Sequence, residues 1–268
     1  GEMLPDIIPN TGGSATWAED NKTIFYTSKD ATLRDYKIWK HVVGTPASND
    51  KVVYEEKDET FGAFVYKTKS KKYIIIGSYS TMSQEYRYMD ATKPDGELKT
   101  FQARKRGLEY SIEHFNDIWY VRTNKDAKNF RLMKTPVTAT GEENWTEVIG
   151  NRDDVLLEGM EVFKDYLVLS ERKAGITQLR VMPTAGKEHY IEFGEKAYVA
   201  FTSINPEFDT DILRLNYQSL TTPNTTYDYN MKSKEKTMLK QQEVLGGFNA
   251  GDYRSERVMA KVRDGVEV

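Results

Sequence analysis

Short apolar cores bounded by polar turns recur along this chain at nearly constant spacing. Their centres fall at Phe25, Ile74, Trp119, Leu167 and Leu213, at intervals of 49, 45, 48 and 46 residues. Each core sits among three further short runs that alternate apolar and polar positions, the period of a strand with one buried face. In the first unit the four runs are 15–18, 24–27, 36–42 and 51–55. The second has 63–65, 73–76, 85–89 and 99–101, and the third has 110–112, 118–121, 130–133 and 145–149. The fourth has 159–163, 166–169, 178–181 and 190–193, and the fifth 199–202, 213–217, 226–229 and 238–240. Four strands per unit, repeated five times without a helical period, predict an all-β chain, a β-propeller of about five four-stranded blades.

The second run of each unit is the most continuously apolar, which places it mid-blade with both faces covered. The outer runs carry more Lys and Glu, as a rim that resists edge pairing should. Segment 205–211, with Pro206 and three acidic residues, is longer than the corresponding turns elsewhere. After Gly246 and Gly247 the repeat stops, giving a propeller region 1–247 and a separate tail 248–268. The tail holds a strand-like run, 257–262, and the hairpin dipeptide Asp264-Gly265 before Val266, Glu267 and Val268. A hairpin interrupted there predicts that the sequence is a piece of a longer one.

Composition narrows the partners. Charged residues make up 29% of 268 positions and the net charge is -3, so nucleic acid is not an expected partner. The densest basic stretch, 67–72, falls between two strands and reads as a solvated turn. Cysteine is absent, which fits a cytoplasmic protein and leaves the periplasm open. No apolar run reaches the roughly 20 residues of a membrane helix, and no membrane partner is expected. Residues 1–5 lack a signal pattern, although in a piece of a longer chain they would say nothing about targeting.

Candidate chemistry is thin. Ser14 lies between small residues, but a nucleophile elbow needs Gly-x-Ser-x-Gly between strand and helix. Thr16 occupies the second glycine position, so Ser14 reads as part of a loop into the first blade. His41, His114 and His189 fall in three different repeats without the spacing of a metal site. Asp209 and Asp211 open like a calcium loop, yet Leu213 and Arg214 follow where ligand and glycine should be. Asn21, Asn144 and Asn224 begin glycosylation sequons that matter only in a secretory setting. Trp17, Trp39, Trp119 and Trp145 read as strand residues filling the wedge between blades, although a sugar platform would use the same residues exposed. The paired carboxylates Glu55-Glu56 and Asp153-Asp154 sit at strand ends or loops. No catalytic residue, cofactor or metal is assigned.

Longer motifs carry a resemblance. They include 38–41 (IWKH), 43–48 (VGTPAS), 54–58 (YEEKD), 109–111 (EYS), 128–130 (KNF) and 157–159 (LEG). Further on come 205–207 (NPE), 219–223 (SLTTP), 239–241 (LKQ) and 253–256 (YRSE). In order and along nearly the whole chain, these resemble the propeller of the oligopeptidase B branch of the prolyl oligopeptidase family of serine peptidases. The resemblance implies a seven-bladed propeller, here incomplete with about five blades, capping an α/β-hydrolase domain that carries a Ser-Asp-His triad. It implies a parent enzyme that cleaves short peptides after Arg or Lys. Residues 263–268 resemble the segment entering the hydrolase domain, so 248–268 would be the hinge and first strand towards it. The family's triad and its acidic Arg/Lys-binding residues have no counterpart here, so the chain alone is expected to be inactive. Its implied role is a gate that admits slender substrates. The implied partners are short peptides and the hydrolase domain of the same polypeptide; substrate-contacting residues are not identified. A piece missing two blades is also expected either to self-associate or to form a partly open ring with disordered ends. The rivals are a free-standing propeller binding a protein or carbohydrate, and a five-bladed glycosidase with paired carboxylates on its inner strands. Those strands are poor in carboxylates, Glu161 excepted.

Overall fold

A computed structural model describes residues 3–267. Gly1 and Glu2 of the leading pentapeptide, and Val268 of the final hairpin strand, lie outside the described residues. The chain divides into two compact units, Gly1–Asn151 and Arg152–Val268.

The first unit contains three antiparallel four-stranded meanders. Sheet 1 is β1 (Thr11–Trp17), β2 (Thr23–Lys29), β3 (Asp35–Val42) and β4 (Lys51–Glu55). Sheet 2 is β5 (Gly62–Lys67), β6 (Tyr73–Ser80), β7 (Ser83–Asp90) and β8 (Lys99–Gln102). Sheet 3 is β9 (Tyr110–Phe115), β10 (Ile118–Thr123), β11 (Arg131–Pro136) and β12 (Thr146–Ile149). The core lies between neighbouring sheets, and β6 shows why its sequence is continuously apolar. Ile74 and Ile76 pack with Phe25 and Ile38 of sheet 1, while Ile75 faces Trp119 and Val121 of sheet 3. Both faces of β6 are covered, so period-two alternation disappears. Trp119 is fully buried against the rings of Tyr73, Tyr88 and Phe101, with centroids 4.9 to 5.4 Å away. Gly77 is required here: a Cβ would meet the Phe64 ring at 2.3 Å.

The second unit contains two sheets. Sheet 4 is β13 (Val155–Val162), β14 (Tyr166–Lys173), β15 (Ile176–Pro183) and β16 (His189–Tyr190). Sheet 5 is β17 (Tyr198–Thr202), β18 (Ile212–Ser219), β19 (Thr225–Asn230) and β20 (Lys236–Gln241). Phe163, Val168, Leu179 and Val181 meet Ala200, Leu213, Leu215 and Tyr217 between them.

Several expectations need correction. The strand β18 is not covered on both faces: Leu213, Leu215 and Tyr217 are buried, but Ile212, Arg214 and Gln218 on the other face are exposed. Ser14 is not in a loop; it lies within β1, where its N–H reaches Thr27 Oγ1 at 3.3 Å. Trp17 is 43% exposed because it shares the outward face of β1 with Ala15 and Gly13. Trp145 is buried but ends a 3-10 turn just before β12. Phe130 precedes β11 with φ +62°, a left-handed conformation that cannot continue a strand. The run expected at 190–193 shrinks to His189–Tyr190. The run 257–262 forms no strand; among the described residues it pairs only through the single Lys261–Glu267 bridge. The Asp264-Gly265 turn does form, closed by Val262 N–H to Val266 O at 2.9 Å and a lone Lys261–Glu267 bridge.

Candidate functional site

In a four-stranded meander, the turn between strands two and three and the link leaving strand four share one end. In the second unit that end gathers 174–175, 191–197, 220–224 and whatever follows β20. Glu195, from the link into β17, accepts hydroxyl hydrogen bonds from Tyr217 (2.7 Å), Ser219 (2.9 Å), Thr221 (2.9 Å) and Thr222 (2.7 Å). Burial pushes its pKa up, but these four hydroxyls outweigh burial and hold the carboxyl at about 2. The tail folds back across the same loops: Arg257 donates to Ala174 O, and Ser255 Oγ lies 3.5 Å from Thr221 Oγ1. Between tail and loops is a cleft of about 690 Å³, lined by Glu195, Lys196, Thr221, Arg254 and Arg257 among others.

The corresponding end of the first unit carries an ionic cluster. The Arg104 guanidinium reaches Glu56 Oε2 at 2.5 Å and Glu85 Oε1 at 3.5 Å, and lies 4.0 Å from the Phe61 ring centroid. Glu56 also accepts from Tyr54 OH (2.7 Å) and the Asp58 N–H (3.0 Å), while Glu85 pairs with Arg87. Burial raises the Glu56 pKa, yet Arg104, Tyr54 and the Asp58 amide overcome it and lower it to about 2. In the second unit the fully buried Glu171 pairs with Arg152 and Arg180 and accepts from Tyr190 OH at 2.7 Å. Glu56 and Glu195, held near 2, have pKa values far from those of a general acid or base working at neutral pH.

The sequence candidates scatter. His41 is buried between Asp6 and Asp50. His114, with Ser70 Oγ 2.8 Å from Nδ1, is pushed down to about 4 by burial and by Lys72. His189 meets Tyr229 OH at 2.7 Å, and burial lowers its pKa. Asp209 pairs with Lys164 at 2.7 Å and Asp211 accepts from Tyr166 OH at 2.9 Å. The long segment 205–211 is anchored through Asn205, which accepts from Arg214 N–H and reaches Glu161 at 3.4 Å. In the basic turn, Lys71 and Lys72 are exposed as expected, but Lys67 pairs with Glu19 at 2.5 Å and Thr68 is buried. Asp154 pairs with Lys173 at the surface. Trp39 bonds Ser28 Oγ at 2.8 Å and stacks on Tyr26.

Sequence reasoning missed the Glu195 cradle and the Arg104 cluster, although a signal existed for the second. Arg104 and Glu56 are 48 residues apart, as are Lys67 and Glu19, while Lys164 and Asp209 are 45 apart. Opposite charges one repeat apart face each other across neighbouring sheets.

Residues 1–242 match the prolyl oligopeptidase N-terminal beta-propeller domain. Dipeptidyl aminopeptidase BI of Pseudoxanthomonas mexicana is 41% identical over 267 residues, covering 99% of this chain and 37% of that protein. Protease 2 of Moraxella lacunata is 32% identical over 270 residues, covering 100% of this chain and 39% of that protein. Among solved structures, oligopeptidase B from Leishmania major superposes with a TM-score of 0.91 at 29% identity, over 99% of this chain and 39% of that one. Oligopeptidase B from Trypanosoma brucei, in a closed form with covalently bound antipain, gives 0.90 at 30% identity, over 98% of this chain and 39% of that one. The chain thus spans under two-fifths of the length of each of these relatives.

Proposed function

The chain belongs to the prolyl oligopeptidase family, whose N-terminal β-propeller domain it matches, and from that premise we propose that it is the gating propeller of an oligopeptidase B-like serine peptidase. The parent enzyme cleaves short peptides after Arg or Lys, and the propeller selects them by size without chemistry of its own. One observation carries this reading: the match runs along almost the whole chain yet takes up only 37–39% of its relatives. In this reading residues 1–247 are the propeller portion and 248–268 the hinge towards the hydrolase domain of the same polypeptide. The end of regular pairing at Gln241 supports that division, as does the fold-back of 253–258 over the loops around Glu195. The antipain-bound neighbour is a closed form, which supports a parent that opens and closes. The exposed apolar residues Val199, Phe201 and Ile212 of sheet 5 support self-association of the isolated chain.

The test is turnover of a short Arg-terminated chromogenic peptide by this chain and by the full-length gene product. Cleavage and labelling by a serine-reactive phosphonate are expected of the longer product alone. Turnover by the short chain, or a gene that ends at Val268, would overturn the reading.

A further inference from the structure

The segment that enters sheet 1 is fastened by one buried histidine. His41, on β3, is 1% exposed. Its Nδ1 lies 2.7 Å from Asp50 Oδ1 and its Nε2 lies 3.1 Å from Asp6 Oδ1. An ionised carboxylate only accepts hydrogen bonds, so a ring between two carboxylates satisfies both only when each nitrogen carries a proton. Asp50 is held from its other side by Tyr26 OH at 2.8 Å. Asp6 has less support: Oδ1 also takes the Gly44 N–H at 2.6 Å, and Oδ2 is buried without a hydrogen-bond partner.

We propose that doubly protonated His41 is a pH-sensitive latch that fastens residues 3–10 to sheet 1 through Asp6. The latch is closed while His41 is an imidazolium and loosens as the ring loses its second proton. A neutral ring keeps one N–H, and the shorter bond to the braced Asp50 retains it. Nε2 then turns a lone pair towards the Asp6 carboxylate. Little else holds this entry, because the β1–β2 register shifts between Thr11 and Ala15 and is continuous only from Ala15 to Trp17.

The titratable groups facing His41 are Asp6 from the leading segment, Asp50 from the link into β4, and Tyr26 from β2. Burial works against the His41 charge, but hydrogen bonds to Asp50 and Asp6, and their charges, raise its pKa above 6.5. Burial and Asp50 raise the Tyr26 pKa, so its hydroxyl stays a donor. The Gly44 amide and His41 lower the Asp6 pKa. A raised histidine pKa means the latch contributes fully below about 6.5 and is lost as pH rises through the folded value.

The experiment is nitrogen-detected NMR of the three histidines in the full chain, with amide exchange at Gly44 as the local reporter. Both His41 ring nitrogens should carry protons at pH 6.5, and the ring should titrate above the other two histidines. Gly44 protection should fall about tenfold for each pH unit by which the His41 pKa is elevated. Asp6→Asn keeps an acceptor for Gly44 and removes the charge; it should lower the His41 pKa and flatten the pH response of Gly44. A singly protonated His41 at pH 6.5, or Gly44 protection that stays constant through the His41 titration, would overturn the latch.

Discussion

Replacing Arg104 with methionine keeps an unbranched stem over Phe61 and removes the charge between Glu56 and Glu85. These carboxylate residues are 3% and 5% exposed, and losing one partner of a buried pair typically costs about 3–5 kcal/mol. Two facts make the loss smaller here. Glu56 keeps Tyr54 and the Asp58 amide, and Glu85 keeps Arg87 and the main-chain N–H of residue 104 at 2.8 Å. The Glu56 pKa of about 2 against an ordinary 4.5 corresponds to about 3 kcal/mol for its partners net of the burial that opposes them. Allowing for screening at the partly exposed guanidinium leaves about 2 kcal/mol at pH 7.

The pH dependence follows from the direction of that shift. A depressed carboxylate pKa stabilises the fold above the unfolded value near 4.5 and is lost as pH falls through about 2. Arg104→Met should therefore show its full deficit at pH 7 and about 60% of it at pH 3, where wild-type Glu56 is still mostly ionised. Urea unfolding followed by tryptophan fluorescence suits the measurement, because Trp17, Trp39, Trp119 and Trp145 all lie in the first unit. Adding Glu56→Gln should recover about half the loss by removing the stranded charge. A deficit under about 0.5 kcal/mol at pH 7, or an equal one at pH 3, would show that the cluster is a solvated surface feature.

Glu195→Ala strands four hydroxyls, and should cost about 2–4 kcal/mol; hydrogen exchange should rise first in the turn 220–224, and unchanged exchange there would sink the cradle. The isolated chain should show a sedimentation coefficient that increases with concentration, and Phe201→Asp should abolish the increase; a wild-type chain that stays monomeric at all concentrations refutes association through sheet 5.

Strands were legible because period-two alternation and the 45–49-residue spacing are properties of single residues in order. All twenty sequence runs correspond to strands of the five sheets, with errors at their ends. What stayed hidden depends on neighbours. The first half of β1, through Ser14, looked like a loop because Gly12 and Gly13 signal a turn. Yet a Cβ at Gly12 would lie 1.9 Å from Asp35 Oδ1 and 2.2 Å from Thr27 Oγ1. Close approach within a sheet requires that glycine, not a turn. Trp17 looked like core by residue type, but its strand phase puts it outward.

The ionic sites were hidden for a different reason, and the period explains how they become readable. Residues one repeat apart occupy equivalent positions in adjacent sheets, so a separation of 44–48 works as a contact ruler. It links Arg104 to Glu56, Ser70 to His114, Tyr66 to the Ile112 carbonyl and Tyr166 to Asp211. Glu195 escapes that ruler because its partners lie 22 to 27 residues away, half a repeat, across a turn within its own sheet. His41 escapes it too, since Asp50 is 9 residues away and Asp6 35. Repeat-length contacts therefore fasten sheet to sheet, whereas the off-period contacts of Glu195 and His41 fasten a linking loop and the segment that enters β1.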